Sequence, residues 1–415
     1  MRILYINHYA GGPRYGMEFR PYYLAREWVR AGHEVLIVAA SFSHVRSKQP
    51  SVPRQPLQES EDGIRYLWYP TPAYAGNGVG RVRNIVTFLG WLYRDGKRIA
   101  RSFQPDVVIA SSTYPMDIWP ARRIAKQAKA RLVFEVHDLW PLSPIEIGGM
   151  SPKHPFIRVC QAAENTAYRQ ADLVVSMLPK VRTHALSKGL PIDRLAVVPN
   201  GFALDDWQGT KVIPLRADLC EAIKGAHAAG ERVVAYTGSL GLPNAIDTLL
   251  DAAALLQDEP LRFILVGDGH ERERLKNRIQ VEKLVRVEIF DPVPKAQIAT
   301  LLGAVDMAYL GAPRQSIYRF GVSPNKMIDY MMARVPILYA IEAGNDPIAE
   351  AGCGVSLPAE NAAALATAIR HLATLEPEHL KTMGDNGRRY AMEHHAYDVL
   401  AAAFLTAVDR VTVRS

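Results

Sequence analysis

"RILYINH" (residues 2–8), "FRPYYLAREWVRAG" (19–32) and "HEVLIVAAS" (33–41) decide the fold class of this chain. The first and third segments are short, apolar and rich in β-branched residues, which is typical of buried strands. The middle segment has helical spacing and ends at a glycine. A strand, a helix and a strand in this order predict a parallel sheet with helices on both faces, which is an α/β fold.

The same alternation continues through the chain and then starts again. "DVVIASS", "RLVFEVHD", "DLVVSML" and "RLAVVPNG" extend the first sheet, and "RVVAYTGS", "LRFILVGDG", "RVEIFDPV" and "DMAYLG" build a second one. We therefore expect two doubly wound, Rossmann-like domains over residues 1–205 and 206–395, with the boundary in "NGFALDDWQGT" (200–210). The apolar helix within 396–415 is expected to join the first domain. Two such sheets facing each other leave a cleft where ligands bind.

Charge is distributed unevenly over the 415 residues. Residues 1–205 hold 27 Lys and Arg against 16 Asp and Glu, and residues 206–415 hold 22 against 26, which together give the net charge of +7. A basic half is typical of a protein that meets nucleic acid, an anionic membrane or an anionic substrate. No aromatic and basic residues interleave as in nucleic-acid modules, so no nucleic-acid partner is expected.

The chain shows no sign of export or of a membrane span. Its beginning lacks a signal peptide pattern, and no apolar run reaches 18 residues. Cys160, Cys220 and Cys353 lie far apart, without metal-ligand spacing, which fits a reducing compartment. A cytoplasmic location is expected.

The segment "GVSPNKMIDYM" (321–331) changes from a loop into a helix. Ser323 suits the N-cap and Pro324 the first helical position. Asn325 and Lys326 then lie in the first turn, where free amides and the helix dipole favour an anion. Asp329 follows on the same face, so an ordinary surface ion pair with Lys326 is the alternative interpretation.

Two glycine-containing turns strengthen the anion interpretation. "YTGSLGLPN" places Gly238 and Gly241, and "VGDGHERERL" places Gly267, each between a strand and a helix. Three anion-suited turns at one side of one domain indicate a diphosphate. Asp329 is then suited to the two hydroxyls of a ribose.

In the first half, two strand ends carry candidate residues. Gly11 and Gly12 follow the first strand in "HYAGGPRYGMEFR", where a plain turn is at least as good an interpretation as a ligand loop. His137 and Asp138 follow a strand in "FEVHDLWPLSP". They either cap the next segment or meet a sugar hydroxyl and accept its proton.

Metal chemistry is not expected. The sequence has no Asp-x-Asp or His-x-x-x-His pair and no Walker-type phosphate loop. We therefore expect neither a metal nor another cofactor.

Taken together, the chain resembles the GT-B glycosyltransferases of family 4 over nearly its whole length. The resemblance rests on "GG" in the first turn, "LAREWVRAGHEVLIV", "FEVHDLWP", "ADLVVSML", "VVPNG", "FILVGDGHERERL" and "PNKMIDYMMARVPIL". It implies transfer of a hexosyl or N-acetylhexosaminyl group from a nucleotide diphosphate with retention at the anomeric carbon, without a metal. The opening segment and "GVSPNKMIDYM" are most similar to a branch that builds bacterial O-antigen, capsule or exopolysaccharide, often from UDP-N-acetylated sugars.

The resemblance also implies roles for residues in the second half. The base of UDP would meet Val293 and Pro294, and its ribose would meet Asp329. The diphosphate would lie against the Ser323–Asn325 turn and the Gly238–Gly241 turn. Its charge would be met by Lys326 together with Arg319 or Arg314, and Ser239 and Gly267 are further expected donor-binding residues.

In the first half, the resemblance places the transferred sugar near His137 and the loop of Gly11 and Gly12. His137, Asp138 and Lys326 are the expected catalytic residues. The chain departs from the family pattern where Gly321 replaces the first of two glutamates, and Asp329 replaces the second. Ser239 stands where a basic residue is common, and the usual lysine near Asn244 is absent.

The segment "RVRNIVTFLGWLYRDGKRIARSF" (81–103) bears on the acceptor. It holds six basic residues and one acid between apolar positions. It is either a sheet-covering helix with a solvated basic face or a surface that lies on an anionic membrane, where polyprenyl-linked acceptors reside. Phe88 or Trp91 would add an apolar contribution if exposed. The second interpretation predicts peripheral attachment to the inner face of the cell membrane.

Two other classes remain open from the sequence. One is a UDP-sugar epimerase of similar two-domain shape, and the other is a non-catalytic nucleotide-sugar binding protein. The missing first glutamate at position 321 keeps the second class open.

Overall fold

Two parallel sheets, each in its own compact unit, organise a computed structural model that describes residues 1–76, 78–207 and 213–413. The first unit comprises Met1–Asn200, Phe320–Val322 and the segment from Tyr397 onward. The second comprises Gly201–Arg319 and Ser323–Ala396. Residues 208–210 of the expected boundary stretch lie outside the described residues.

The first unit contains eight strands and seven helices among its described residues. The strands are β1 (Arg2–Ile6), β2 (Glu34–Ala40), β3 (Leu57–Glu61), β4 (Ile64–Tyr69), β5 (Val107–Ala110), β6 (Arg131–Val136), β7 (Leu173–Ser176) and β8 (Leu195–Val197). The helices are α1 (Arg20–Arg30), α2 (Val79–Ser102), α3 (Ile118–Ala128), α4 (Leu142–Glu146), α5 (Pro155–Gln170), α6 (Arg182–Ser187) and, after the helices of the second unit, α15 (Tyr397–Asp409).

The strand order of this sheet is β3-β4-β2-β1-β5-β6-β7-β8. All pairs are parallel except β3 with β4, which are antiparallel at the edge. The order reverses between β1 and β5, because β2 lies on one side of β1 and β5 on the other. Ligands of doubly wound sheets bind beyond the carboxyl ends of the strands at such a reversal.

The second unit contains six strands and eight helices among its described residues. The strands are β9 (Arg232–Thr237), β10 (Leu261–Val266), β11 (Val287–Phe290), β12 (Met307–Gly311), β13 (Ile337–Ala340) and β14 (Gly354–Ser356). The helices are α7 (Ala217–Ala228), α8 (Ile246–Leu255), α9 (Arg272–Val281), α10 (Lys295–Leu302), α11 (Asn325–Met332), α12 (Pro347–Ala351), α13 (Ala362–Thr374) and α14 (Pro377–His394). The order is β11-β10-β9-β12-β13-β14, all parallel, and it reverses between β9 and β12.

Burial explains why the central strands are continuously apolar. Ile3, Leu4 and Ile6 of β1 are inaccessible to solvent, since helices cover both faces of a parallel sheet. The carboxyl-terminal helix α15 completes one of these layers. There the Trp28 indole nitrogen donates a hydrogen bond to the Ala401 carbonyl oxygen at 3.1 Å.

The basic helix α2 buries one of its three aromatic residues completely and leaves Tyr93 exposed. Phe88 is fully buried, and the Trp91 ring stacks on Tyr69 while its indole nitrogen donates to the Pro70 carbonyl oxygen at 3.0 Å. Phe88 therefore offers no apolar surface to a membrane, whereas Trp91 remains partly exposed. The outer face carries Arg94 and other basic side chains instead.

Helix α11 begins one residue later than the sequence suggested. Pro324 has an extended ψ of 134° and is the N-cap, and Asn325 is the first helical residue. The expected cap at Ser323 and first helical position at Pro324 are therefore wrong by one residue, because the proline stays in the extended conformation that precedes the helix. Lys326 remains in the first turn.

Candidate functional site

Three turns of the second unit come together at the carboxyl ends of its strands. Gly238 follows β9 with a φ of +132°, a backbone conformation that favours glycine. A Cβ on Gly267, which follows β10, would come within 1.8 Å of the Gly238 carbonyl oxygen, so the two turns touch backbone to backbone. A Cβ on Gly238 would in turn lie 3.2 Å from Lys326 Nζ. The two glycine turns and the start of α11 thus form one cluster at the reversal point of the sheet.

Lys326 is the charged centre of this cluster. Its Nζ donates a hydrogen bond to Asn244 Oδ1 at 2.7 Å and lies 5.3 Å from the centre of the Tyr236 ring. Asn244 is itself oriented by its amide nitrogen, which donates to the Ser239 carbonyl oxygen at 2.9 Å. Burial lowers the pKa of Lys326 to about 8. The ammonium is therefore charged near neutral pH but only partly solvated, which favours a bound anion.

Asp329 lies one turn further along α11. Its side chain is half-buried, and among the described residues it has no hydrogen-bond or ion-pair partner, so the alternative of an ordinary ion pair with Lys326 is not what the structure contains. Burial raises the pKa of Asp329 to about 6, while the positive charge of Lys295 acts against that shift and the negative charge of Asp206 adds to it. The carboxylate is thus available to donors from a ligand.

The remaining donor-site candidates surround these residues less closely. Val293 and Pro294 stand between β11 and α10, with Pro294 as the N-cap of α10. Lys295, the next residue, is one of the charges that act on Asp329. Arg319 is exposed, and its guanidinium donates to the Ser316 carbonyl oxygen at 2.6 Å.

Other candidates of the second unit are engaged in local contacts. Arg314, the alternative to Arg319, forms an ion pair with Glu342 at 3.0 Å. Ser239 is exposed and offers its hydroxyl to solvent, while a Cβ on Gly241 would lie 3.0 Å from the His270 ring. The structure therefore joins Lys326, Gly238 and Gly267 directly. Arg314, Ser239 and Gly241 lie at the margin of this cluster.

In the first unit, His137 and Asp138 follow β6 but turn to different partners. His137 Nε2 lies 2.8 Å from Ser111 Oγ and 3.2 Å from Glu135 Oε2, and its side chain is 10% exposed. Asp138 Oδ1 accepts hydrogen bonds from the Leu139 amide and the Ser143 hydroxyl. Asp138 thus holds the chain that leads into α4, and His137 faces the strand ends at the reversal of the sheet.

A buried ion pair that the sequence analysis missed lies under His137. Arg20 and Glu135 approach to 2.9 Å, and both side chains are completely buried. The Arg20 guanidinium and hydrogen bonds from His137 and Ser111 overcome the effect of burial and hold the pKa of Glu135 far below its usual range. An available signal was the glutamate itself, because a charge within the apolar run that follows Arg131 in the strand "RLVFEV" requires a buried partner.

Gly11 and Gly12 form a closed loop in the first unit. The Gly11 amide donates to the Glu18 carbonyl oxygen at 2.9 Å and the Gly12 amide to the Gly16 carbonyl oxygen at 2.9 Å. A Cβ on Gly11 would come within 1.9 Å of that Gly16 oxygen. Packing thus requires glycine at position 11, and both amides are already used within the loop.

His137 also lines a small cavity of about 200 Å³ in the first unit. Its walls combine apolar surface with polar groups and charges of both signs, and the lining residues are Asn7, Tyr9, Glu18, His44, Val45, Arg81, Thr113 and His137. A mixed lining of this kind suits a ligand that has both apolar faces and hydroxyl groups, as a sugar has.

Within the described ranges, no group of three or more His, Cys, Asp and Glu side chains is arranged to hold a metal ion. Metal independence remains a prediction. No helix in the described part of the chain is long and apolar enough to cross a membrane.

Two doubly wound parallel sheets, with an anion-suited cluster at the reversal point of one, fit the GT-B fold of glycosyltransferases. Comparisons with known proteins agree with this class. Residues 15–201 match the family model for the glycosyl transferase 4-like domain, and residues 231–374 match the model for glycosyl transferases group 1. The chain belongs to the GT-B glycosyltransferases of family 4.

The similar proteins found are distant relatives. The probable glycosyltransferase WbjE of Pseudomonas aeruginosa is 26% identical over 319 residues, which are 75% of this chain and 76% of that protein. The putative colanic acid biosynthesis glycosyl transferase WcaI of Escherichia coli is 22% identical over 373 residues, covering 85% and 87%. The crystal structure of Anabaena HepE in complex with UDP and glucose has a TM-score of 0.65 at 18% identity over 99% of both chains, a likeness in fold.

Proposed function

We propose that this protein transfers a sugar from a UDP-sugar donor to a polyprenyl-diphosphate-linked glycan, with retention, in the synthesis of a bacterial surface polysaccharide. The observation that carries the proposal is the position of Lys326, held by Asn244 over the Gly238 turn at the reversal point of a parallel sheet. The name of WcaI refers to colanic acid biosynthesis, which supports the polysaccharide pathway. The HepE structure is a complex with UDP and glucose, which supports the donor class.

The donor part of the proposal rests on the positive charge at Lys326 and helix α11. A diphosphate beside Lys326 and the first turn of α11 would meet an ammonium and free helix amides, both of which favour an anion. Asp329 would accept hydrogen bonds from the ribose hydroxyls, and Val293 and Pro294 would contact the base with their backbone. As the diphosphate leaves, negative charge grows on its oxygen, and fixed donors lower the barrier to that step.

The transfer part of the proposal involves His137. Retention without a protein nucleophile means that the acceptor hydroxyl attacks from the face that the diphosphate leaves, and a leaving phosphate oxygen takes the hydroxyl proton. His137 would contact a hydroxyl of the transferred sugar and hold the ring in position. No metal is needed in this scheme, because Lys326 and helix α11 meet the phosphate charge.

The acceptor part of the proposal rests on the exposed face of α2. Arg83, Arg94, Lys97 and Arg101 are exposed on this helix. Val79, Val82 and Val86 are exposed near its beginning. Basic side chains beside small apolar ones suit the surface of an anionic membrane, where a polyprenyl-linked acceptor is found. We propose that the protein works at the inner face of the cell membrane, reversibly attached.

The test is incubation of the purified protein with labelled UDP-sugars and a lipid-diphosphate-sugar extract. Label that moves into the lipid fraction supports the proposal, and NMR of the product reports whether the anomeric configuration is retained. An isomerised donor would instead support an epimerase, and donor that is bound but unchanged would support a binding protein.

A further inference from the structure

Glu135 is a completely buried carboxylate for which the proposed transfer has no direct use. It lies in β6 two positions before His137, which follows the strand, and the two side chains contact each other at the end of the strand. Its Oε2 accepts hydrogen bonds from the Tyr5 and Ser111 hydroxyls and lies 3.2 Å from His137 Nε2. The arrangement raises the question of which ring nitrogen of His137 carries hydrogen.

The hydrogen bonds of Ser111 decide its role toward His137. Asn7 has a fixed orientation, because its Oδ1 accepts from the Tyr9 amide at 2.9 Å and its Nδ2 donates to Ser111 Oγ at 3.1 Å. The Ser111 hydroxyl proton is directed to Glu135 Oε2 at 2.6 Å. A hydroxyl has one proton, so Ser111 Oγ, 2.8 Å from His137 Nε2, can only accept from that nitrogen.

The second neighbour of Nε2 imposes the same direction. Glu135 is paired with Arg20 at 2.9 Å, and an ionised carboxylate only accepts hydrogen bonds. Both neighbours therefore require a hydrogen on Nε2. A neutral His137 must then leave its lone pair on Nδ1, which has no hydrogen-bond partner among the described residues.

We propose that Glu135, held by Arg20, is a positioning residue that keeps His137 in the Nε2–H form and presents Nδ1 as the hydrogen-bond acceptor for a sugar hydroxyl. The inference deepens the proposed function and rests on it for the identity of the ligand. The 200 Å³ cavity that His137 lines is the place where that hydroxyl would enter.

The first experiment is NMR of the wild-type protein labelled with 15N in its histidines, at about pH 8.5, two units above the usual histidine pKa. The His137 signals are assigned by their loss in His137→Gln. A protonated Nε2 and an unprotonated Nδ1 are expected. The opposite tautomer, or a ring protonated on both nitrogens, would overturn the proposal, and neither result depends on enzymatic activity.

The second experiment is Glu135→Gln. Arg20 donates to Oε1, so it should retain the amide oxygen of glutamine there and direct the amide nitrogen toward Ser111 and His137. That nitrogen donates, and His137 Nε2 then becomes an acceptor. The expected spectrum is therefore reversed, with hydrogen on Nδ1. An unchanged tautomer in a folded variant would refute the role of Glu135.

Glu164→Gln is the matched control. Glu164 is also a buried carboxylate of the first unit paired with a histidine, with Oε1 2.7 Å from His184 Nε2, but neither residue lines the cavity. The His137 signals should remain unchanged in this variant. The wild-type spectrum tests the proposal even where Glu135→Gln does not fold.

Kinetics separate this inference from the function itself. Glu135→Gln should lower kcat/KM for sugar transfer by about 10- to 100-fold, the cost of replacing an acceptor by a donor opposite a hydroxyl, and Glu164→Gln should not. Full activity of His137→Ala would instead refute the catalytic role proposed for His137 and leave the tautomer measurement standing. Equal losses in Glu135→Gln and Glu164→Gln would reduce Glu135 to a structural residue.

Discussion

Replacing Asp329 with alanine should weaken UDP binding by about 10- to 150-fold. A hydrogen bond to a charged acceptor contributes about 1.5–3 kcal/mol, and each 1.4 kcal/mol changes Kd tenfold. The value should lie in the upper part of this range, because the carboxylate is already desolvated in the free protein. The raised pKa of about 6 is the sign of that desolvation, so ribose hydroxyls meet an acceptor that has little water left to lose.

The same pKa gives the wild-type protein a defined pH dependence. The ionised carboxylate is the acceptor, so the contribution of Asp329 to the affinity should be constant above pH 7 and decrease as pH falls through about 6. At about pH 5 only one carboxyl group in about ten is ionised. The factor by which Asp329 strengthens UDP binding should therefore fall about tenfold. A phosphate also titrates near pH 6, but that change is common to the wild type and Asp329→Ala.

Calorimetric titration with UDP between about pH 5 and 8 measures both effects. Asp258→Asn removes an exposed carboxylate from the same unit and should leave the affinity unchanged. Two results would refute the reasoning: unaltered affinity in a folded Asp329→Ala variant, or wild-type and variant curves that run parallel down to pH 5.

Four further predictions concern Lys326, the basic face of α2 and the need for a metal. Lys326→Ala should lower kcat more than donor affinity. Wild-type activity should decline above pH 8 as Lys326 loses its proton, whereas Lys326→Arg should lack that decline; a pH–rate profile checks both. Changing Arg94, Lys97 and Arg98 to glutamate should reduce sedimentation with anionic vesicles at low salt, since each basic side chain contributes about 1 kcal/mol to membrane binding. Equal sedimentation of the wild-type protein with neutral and anionic vesicles would contradict an electrostatic attachment. Activity should survive EDTA, and a loss restored by Mg²⁺ would show that a metal takes part.

The two parallel sheets were predictable because buried strands and covering helices leave different periodicities in the sequence. The edge hairpin of β3 and β4 was not predicted. Strand β3, "LQESE", is polar and only half-buried, so it lacks the apolar pattern of the central strands. Its antiparallel pairing with β4 depends on the neighbouring strand, which a local pattern does not reveal.

The candidate site was predictable where it follows strand ends and helix starts. Topology places the carboxyl ends of β9 and β10 side by side, so the adjacency of Gly238 and Gly267 follows from the alternation. The hydrogen bond from Lys326 to Asn244 joins positions 82 residues apart, and no spacing rule connects them. Contacts of this kind depend on side-chain geometry, which explains why the partner of the lysine appeared only in the structure.

Gly321 is the position where the chain departs most from its family, and restoring the expected glutamate should not restore a sugar contact. Its φ is +92°, in the left-handed region that costs other residues about 1–2 kcal/mol. Both Gly321→Glu and Gly321→Ala should therefore lower the free energy of unfolding in urea by about that amount, and Gly321→Glu should not raise the transfer rate. Gly90→Ala is the control, because Gly90 lies exposed within α2 with no atom near its Cβ position, and alanine there should stabilise the helix by up to about 1 kcal/mol. A Gly321→Glu variant that is both stable and more active would contradict this reasoning. It would show that the loop can adopt another backbone conformation and that glutamate is compatible with this position.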